Sequence, residues 1–436
     1  MNMMTRQMPH QQTPKKIAVI GGGISGMSAA YALSSSHRVT LFEADNRLGG
    51  HARTVFAGNS RRQPVDMGFI VFNYANYPLL TTLFEELEVP VVKSNMSFGA
   101  SVRGETLEYG LASLSTIFAQ KRNALDPRFL CMCRDILRFN ARGLKLSQEG
   151  GLTISEFLMK LGTGSWFRDY YLLPLSGAIW SSPKEKIMNF PAASLLQFFE
   201  NHALLGVRGQ HQWYTVEGGS IQYVSRLENR IAQNGVRVRL KTPISKVQRL
   251  PGRVDITPKF GTAESYDEVI FATHSDDALA LLSDANKVER SLLNAVAYQP
   301  NEVVLHCDPS VMPKSKKCWS SWVYKERSGR TSQQLDLTYW MNSLQPIPKS
   351  DPLFVTLNST HNIRDELIYE QTTMRHPVYD AKALQAQKMI AARNGNNRTW
   401  FCGAWMKNGF HEDGLSSALD VVNKLATLCP VGWAAE

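Results

Sequence analysis

The stretch Lys16-Ile-Ala-Val-Ile-Gly-Gly-Gly-Ile-Ser-Gly-Met-Ser-Ala-Ala-Tyr31 constrains this chain more than any other. Ile17 to Ile20 form a short apolar run of the kind that fills a buried strand. Gly21, Gly23 and Gly26 then satisfy G-x-G-x-x-G, and a helical pattern follows. Gly21 permits a tight turn, Gly23 lets the backbone approach a pyrophosphate, and Gly26 lets the helix pack close to the strand. Ile24 and Ser25 open the helix, whose free N–H groups and positive dipole end attract phosphate. A second apolar run, Val39-Thr-Leu-Phe-Glu43, ends in an acid followed by Ala44. A carboxylate there is placed for ribose hydroxyls and repels a 2′-phosphate, which disfavours NADP and leaves NAD and FAD open.

The 436 residues suffice for two or three domains, and 43% hydrophobic with 20% charged residues is an ordinary globular mixture. The net charge of +10 suits an anionic partner such as lipid, nucleic acid or an acidic substrate, or serves solubility alone. The six cysteines include no C-x-x-C pair and read as reduced thiols, with no metal site among them. Met1 to Pro14 reads as a disordered polar tail without the apolar centre of a signal peptide. No apolar window is long enough to span a bilayer. The expected location is therefore cytoplasmic, with any membrane contact peripheral, at the inner face.

Arg47-Leu-Gly-Gly-His-Ala-Arg-Thr54 supplies a second backbone-exposing loop, with Gly49 and Gly50 flanked by Arg47 and Arg53. A nicotinamide enzyme has little use for it. A longer cofactor, with flavin, ribityl chain and pyrophosphate, does. Asp66-Met-Gly-Phe-Ile-Val-Phe72 follows, with Gly68 where a bulky ring could press on the backbone beside Phe69 and Ile70.

Strand, G-x-G-x-x-G, helix, terminal Glu and R-x-G-G-x-x-x-T together resemble the N-terminal signature of FAD-dependent amine oxidase-like and phytoene desaturase-like flavoproteins. His51 stands where that family carries His or Arg after its double glycine. The likeness runs along nearly the whole chain. It is strongest to a bacterial subgroup labelled predicted NAD/FAD-binding proteins, through Asp66–Asn73, Val216-Glu-Gly-Gly-Ser220, Tyr339-Trp-Met-Asn342, Trp400–Trp405 and Gly409–Gly414. The resemblance implies an α/β fold with FAD as cofactor. It further implies a Rossmann-like FAD-binding domain of glutathione reductase type 2 topology (15–73, 210–274, 396–436). An α+β substrate domain would be built by two excursions of the chain (74–209, 275–395). It places Val238 against the adenine and Ala272 and Thr273 at a strand end facing the cofactor. Gly403, Phe410, His411, Glu412 and Asp413 would lie along the ribityl chain and flavin, Asp413 also suiting a helix cap.

The first excursion reads as mostly helical, including Pro78–Leu87 and Leu111–Gln120. Asp126-Pro127 looks like a cap with Pro at the first helical position. In the helix that follows, Arg128 to Lys145, Arg134, Arg138 and Arg142 share one face, suited to anionic lipid or to plain solvation. Trp166 to Trp180 is aromatic enough to wall a greasy cavity or to fill a core. In the second excursion Tyr298–Cys307, Trp319–Tyr324, Gln334–Asn342 and Leu353–Asn358 read as an antiparallel sheet flooring a substrate cavity, and Tyr379–Asn394 as a helix.

Neither G-x-S-x-G nor H-E-x-x-H occurs, as fits a flavin that carries the redox chemistry itself. His51, His361 and His411 are candidates to move protons near it. Tyr339 and Trp340 are candidates to face it, and strand alternation lets only one of them do so. The expectation is an FAD oxidoreductase taking hydride from a hydrophobic substrate, a fatty-acyl or lipid chain, with oxygen or a quinone reoxidising the flavin. The acyl assignment comes from the resemblance, since the subgroup is linked to fatty-acyl modification. The alternatives are an amine or amino-acid oxidase and a flavin-binding, lipid-associated protein without turnover. A hydrophobic or lipid substrate and an anionic membrane are the expected partners, nucleic acid is not, and the chain is read as a monomer or homodimer.

Overall fold

The computed structural model describes residues 13–180, 187–201, 204–205, 211–326 and 336–427. Residues 1–12 of the expected tail and those after 427 lie outside them, as does the side chain of Trp180. The strand Lys16–Ile20 lies at the centre of a five-stranded sheet. Ile17, Ala18 and Val19 are fully buried, as a strand covered on both faces requires. The order is Arg237–Arg239, Arg38–Phe42, Lys16–Ile20, Glu268–Phe271 and Thr399–Phe401, and every pair is parallel. The helices Ile24–Leu33, Ile221–Gln233 and His411–Thr427 cover one face through Met27, Leu227 and Leu415. The antiparallel strands Ile244–Leu250, Arg253–Pro258 and Glu264–Tyr266 cover the other with the helix Ala381–Arg393. A methyl group at position 26 would sit 1.8 Å from Gly21 O, so only glycine permits this approach of helix to strand.

A seven-stranded sheet forms the second half, in the order Ile368–Val378, Ala297–His306, Phe354–Leu357, Leu337–Trp340, Trp322–Lys325, Phe98–Val102 and Leu107–Gly110. All pairs are antiparallel except Trp322–Lys325 with Phe98–Val102. The helices Pro127–Ser147, Ile154–Leu161, Leu173–Trp180 and Ala192–Asn201 pack on it around Phe139, Phe157, Phe167 and Phe199.

The first excursion is not simply helical, because Val91–Ser94, Phe98–Val102 and Leu107–Gly110 are strands. Of the helix expected over Leu111–Gln120 only Leu114–Ile117 forms. The strand Ile368–Val378 also had no counterpart in the reading.

Asp66 stitches the halves together. Its carboxylate accepts from Thr54 Oγ1 (2.6 Å), Ser220 N (2.9 Å), Ser220 Oγ (2.6 Å) and Gln345 Nε2 (3.0 Å). Among the described residues no helix is long and apolar enough to cross a membrane.

Candidate active site

A cavity of about 860 Å³ runs from the glycine turns of the parallel sheet to the seven-stranded sheet, at the upper end of the range for ligand sites. At its first end the two glycine loops lie side by side. Gly49 N donates to Gly22 O at 2.8 Å, and Gly23 bridges Gly49. Gly21 has φ +106°, which L side chains resist, and a Cβ there would meet Ala272 O at 2.8 Å. A Cβ on Gly23 would meet nothing nearer than Gly50 Cα at 4.0 Å. Protein packing therefore leaves space at Gly23, and that space belongs to the cavity. The helix Ile24–Leu33 opens there with no side-chain cap and no acid in its first turn, so its N–H groups and dipole remain for an anion.

Glu43 forms part of the wall and braces the first loop. Its Oε2 accepts from Gly22 N at 2.6 Å and its Oε1 from Asp45 N at 2.8 Å. Carboxylate oxygens have lone pairs left for a hydroxyl donor. Arg47 lies outside the wall. Its guanidinium donates to Leu48 O (3.2 Å), Ala52 O (3.0 Å) and Gly50 O (2.9 Å), fixing the second loop from behind.

At mid-cavity four histidines come close. The His51 ring lies 5.8 Å from His274 and 5.5 Å from His376. His51 Nε2 is 3.2 Å from Arg375 O. His411 stacks on Phe69 at 4.0 Å and 11° and shares a 2.6 Å hydrogen bond with Tyr223 Oη. Burial, the largest cause in each case, holds His274, His376 and His411 down to about 3 and lowers His51 as well. All four are neutral imidazoles at neutral pH, able to give or accept a hydrogen bond without bringing charge. Arg375 is held by Asp276 and Asp277 at 2.5 Å each.

The far end is apolar, walled by Met96, Phe98, Leu175, Phe198, Trp322 and Tyr339. The carboxylates of the described wall are Glu43 and Asp277 alone, both on the parallel-sheet side.

Of the residues singled out in the sequence, Gly21, Gly23, Ile24, Ser25, Glu43, Ala44, Gly49, Gly50, His51, Gly68, Phe69, Ile70, Ala272, Thr273, Tyr339, Gly403, Phe410 and His411 line this one cavity. Others stand elsewhere, for physical reasons. Gly26 is consumed by helix packing, and Thr54 by Asp66 and Ser220. Val238 is half-buried against the helix-side core. Glu412 accepts from Leu79 N and Leu80 N, both at 2.9 Å, capping the helix Pro78–Glu86. Asp413 accepts from Phe410 N at 2.9 Å. Trp340 points to the opposite face of its sheet from Tyr339 and meets Trp319 edge-on. His361 lies near Glu105, away from the cavity. The reading missed His274, Arg375 and His376. His274 directly follows the strand-end pair Ala272-Thr273 and could have been found. His376 lies on a strand the pattern did not reveal.

Residues 24–373 match the family model of flavin containing amine oxidoreductases, and the chain belongs to that family. It is an oxidoreductase whose cofactor is FAD. Coproporphyrinogen III oxidase of Mycobacterium tuberculosis (strain ATCC 25618 / H37Rv) is 40% identical over 79 residues, 17% of each chain. Polyamine oxidase 5 of Oryza sativa subsp. japonica is 49% identical over 57 residues, 13% of this chain and 11% of its own. The matches thus span less than a fifth of these relatives' length. The solved CLA-producing fatty acid isomerase from P. acnes superposes with a TM-score of 0.65 at 16% identity, covering 96% of this chain and 99% of its own. Putrescine oxidase bound to putrescine gives 0.67 at 13%, covering 95% and 99%. Cyclohexylamine oxidase from Brevibacterium oxydans IH-35A gives 0.66 at 14%, covering 95% and 100%. At such identities the likeness establishes a shared mixed α/β fold.

The residues present fit FAD. Space at Gly23, an uncapped helix start, a second glycine loop and a carboxylate at the strand end all open onto one elongated cavity.

Proposed function

We propose that this protein removes hydride from a neutral, hydrophobic substrate, a fatty-acyl or other lipid chain, by desaturation or a related oxidation. The carrying observation is the far half of the cavity, where no described side chain offers a carboxylate to an ammonium group. A cationic amine buried there would lose its hydration with only aromatic faces and no carboxylate to offset the loss, whereas an acyl chain gains by burial. The fatty acid isomerase among the structural neighbours supports the same reading.

The parallel sheet is read as a Rossmann-like domain of glutathione reductase type 2 topology (15–73, 210–274, 396–436), and the rest (74–209, 275–395) as the substrate domain. The first-turn N–H groups of Ile24–Leu33 bind the pyrophosphate, Glu43 the ribose, and the second glycine loop the chain towards the flavin. Bound FAD supplies the two-electron acceptor for hydride, and oxygen or a quinone takes the electrons onward. The aromatic wall excludes water and lays the substrate chain against the mid-cavity. His411, oriented by Tyr223 at Nε2 and stacked on Phe69, accepts or returns a proton at Nδ1 without a charged resting state.

An amine substrate is the second reading, favoured by the putrescine and cyclohexylamine oxidases among the neighbours. Incubating the purified protein under air with lipid extract, then with a panel of amines, separates the two by mass spectrometry. An oxidised acyl product supports the proposal. Turnover of an amine, with every lipid left unchanged, overturns it.

A further inference from the structure

The helix Pro127–Ser147 and the turns before it present a face that the described fold leaves bare. Phe129, Met132, Asp135, Phe139 and Gly143 form the buried stripe. That stripe packs against Ala192–Asn201, whose Phe198 forms part of the cavity wall. The outward stripe carries Leu130, Arg134, Leu137 and Lys145 at helical spacing, and Leu130 is 43% and Leu137 59% exposed. Just ahead of the helix, Leu125 is 84% exposed and Leu114 75%. Single exposed leucines are ordinary, but four on one short stretch mark an interaction surface.

Charge gathers on the same stretch. Between residues 111 and 145 seven Lys or Arg face two acids, in a chain whose net charge is +10. Both acids are engaged within the fold. Asp135 is buried and accepts from Gly164 N at 2.9 Å, and Asp126 caps its helix through Arg128 N at 3.0 Å. Lys121, Arg142 and Lys145 remain exposed, as does Arg134, which also donates to Asp135 Oδ1 at 3.3 Å. The segment also runs on from the cavity, since Leu111 and Ala112 line it and the exposed Leu114 follows two residues later.

We infer that this face rests on an anionic lipid bilayer. The leucines enter the headgroup boundary, and the cations pair with lipid phosphates. A second copy of the chain would bring like charge against like charge, and a purely electrostatic polyanion would have no use for the leucines. The inference rests on the surface alone and holds whatever the substrate is.

The test is flotation of the full-length, FAD-loaded protein with two kinds of vesicle, phosphatidylcholine alone and an equal mixture with phosphatidylglycerol. The protein floats with the mixed vesicles only, and added salt releases it. The double variants Arg142→Glu with Lys145→Glu, and Leu125→Ser with Leu137→Ser, change exposed positions and keep their bound flavin spectrum. Each binds mixed vesicles at least about tenfold more weakly than the parent. Equal flotation with both vesicles, no flotation, or unchanged affinity in the variants overturns the inference. So does a leucine variant that alters only the oligomeric mass, which would make this a contact between copies. None of these outcomes bears on the substrate reading.

Discussion

Gly23 and Gly26 sit three residues apart in one turn and do opposite work. Gly26→Ala forces a methyl group onto Gly21 O, a backbone atom that cannot yield. This overpacking costs about 1–3 kcal/mol or more and appears as poor folding or a lowered melting temperature. Gly23→Ala meets open space instead. Its melting temperature without FAD stays near that of the parent, while FAD affinity falls on the order of tenfold, about 1.4 kcal/mol. Equilibrium flavin titration with calorimetry of the FAD-free protein distinguishes the two. Equal flavin affinity in Gly23→Ala would contradict the assigned loop. Asp66 is a second residue whose chemistry is predictable. Asp66→Asn turns an amide toward a set of donors and costs about 1–3 kcal/mol of stability. Thermal unfolding checks this, and an unchanged midpoint would show that the donors find other partners.

The helix Pro127–Ser147 shows how far an element can be read from its pattern. Asp126-Pro127 marked its start, and Asp126 does cap it. The pattern did not show that Asp135 turns inward, because its partner is a backbone N–H at Gly164, distant in sequence. Asp135→Ala strands that N–H and costs about 1–3 kcal/mol, whereas Asp135→Asn keeps an acceptor and costs less. Equal losses in thermal unfolding would refute this role. The inner strands of the parallel sheet were legible because burial on both faces makes them mostly apolar and glycine punctuates them. Phe98–Val102 was not, because Gly99, Ala100 and Ser101 show neither bulk nor alternation. Their smallness serves a close approach, and a Cβ on Gly99 would lie 2.5 Å from Cys318 O. Ile368–Val378 carries charges and Pro377, and is a strand through its pairing with Ala297–His306. His376 was hidden with it. The glycine-loop end of the site was therefore readable as a local motif. The histidines and the apolar wall come together only through tertiary contacts.

At the scale of the whole molecule the buried ionisable groups set a pH profile. His274, His376 and His411 stand near 3, against 6.5 ordinarily. The unfolded chain thus binds protons below about pH 6.5 that the folded one refuses until about 3, and stability falls as pH drops through that window. Burial raises Asp66 and Asp413 to about 6 from 3.8. The folded chain then holds protons below 6 that the unfolded one still lacks, an opposite effect between about 6 and 3.8. Burial likewise lowers His306 to about 4, so near pH 5 the four histidines outweigh the two acids by about two protons, and stability declines on the order of 3 kcal/mol per pH unit toward acid. Melting temperatures between pH 7.5 and 5 check the sign, and a rising trend toward acid would contradict it.

One elongated cavity joins two glycine loops at one end to an apolar, carboxylate-free wall at the other. In the proposed function, electrons enter that cavity from a neutral acyl chain. The direct measurement is the visible flavin band of the purified protein under anaerobic conditions, with lipid acyl substrates and amines added separately. Bleaching by an acyl lipid, with amines leaving the band unchanged, is the predicted result. Bleaching by an amine, with every lipid inert, would contradict it.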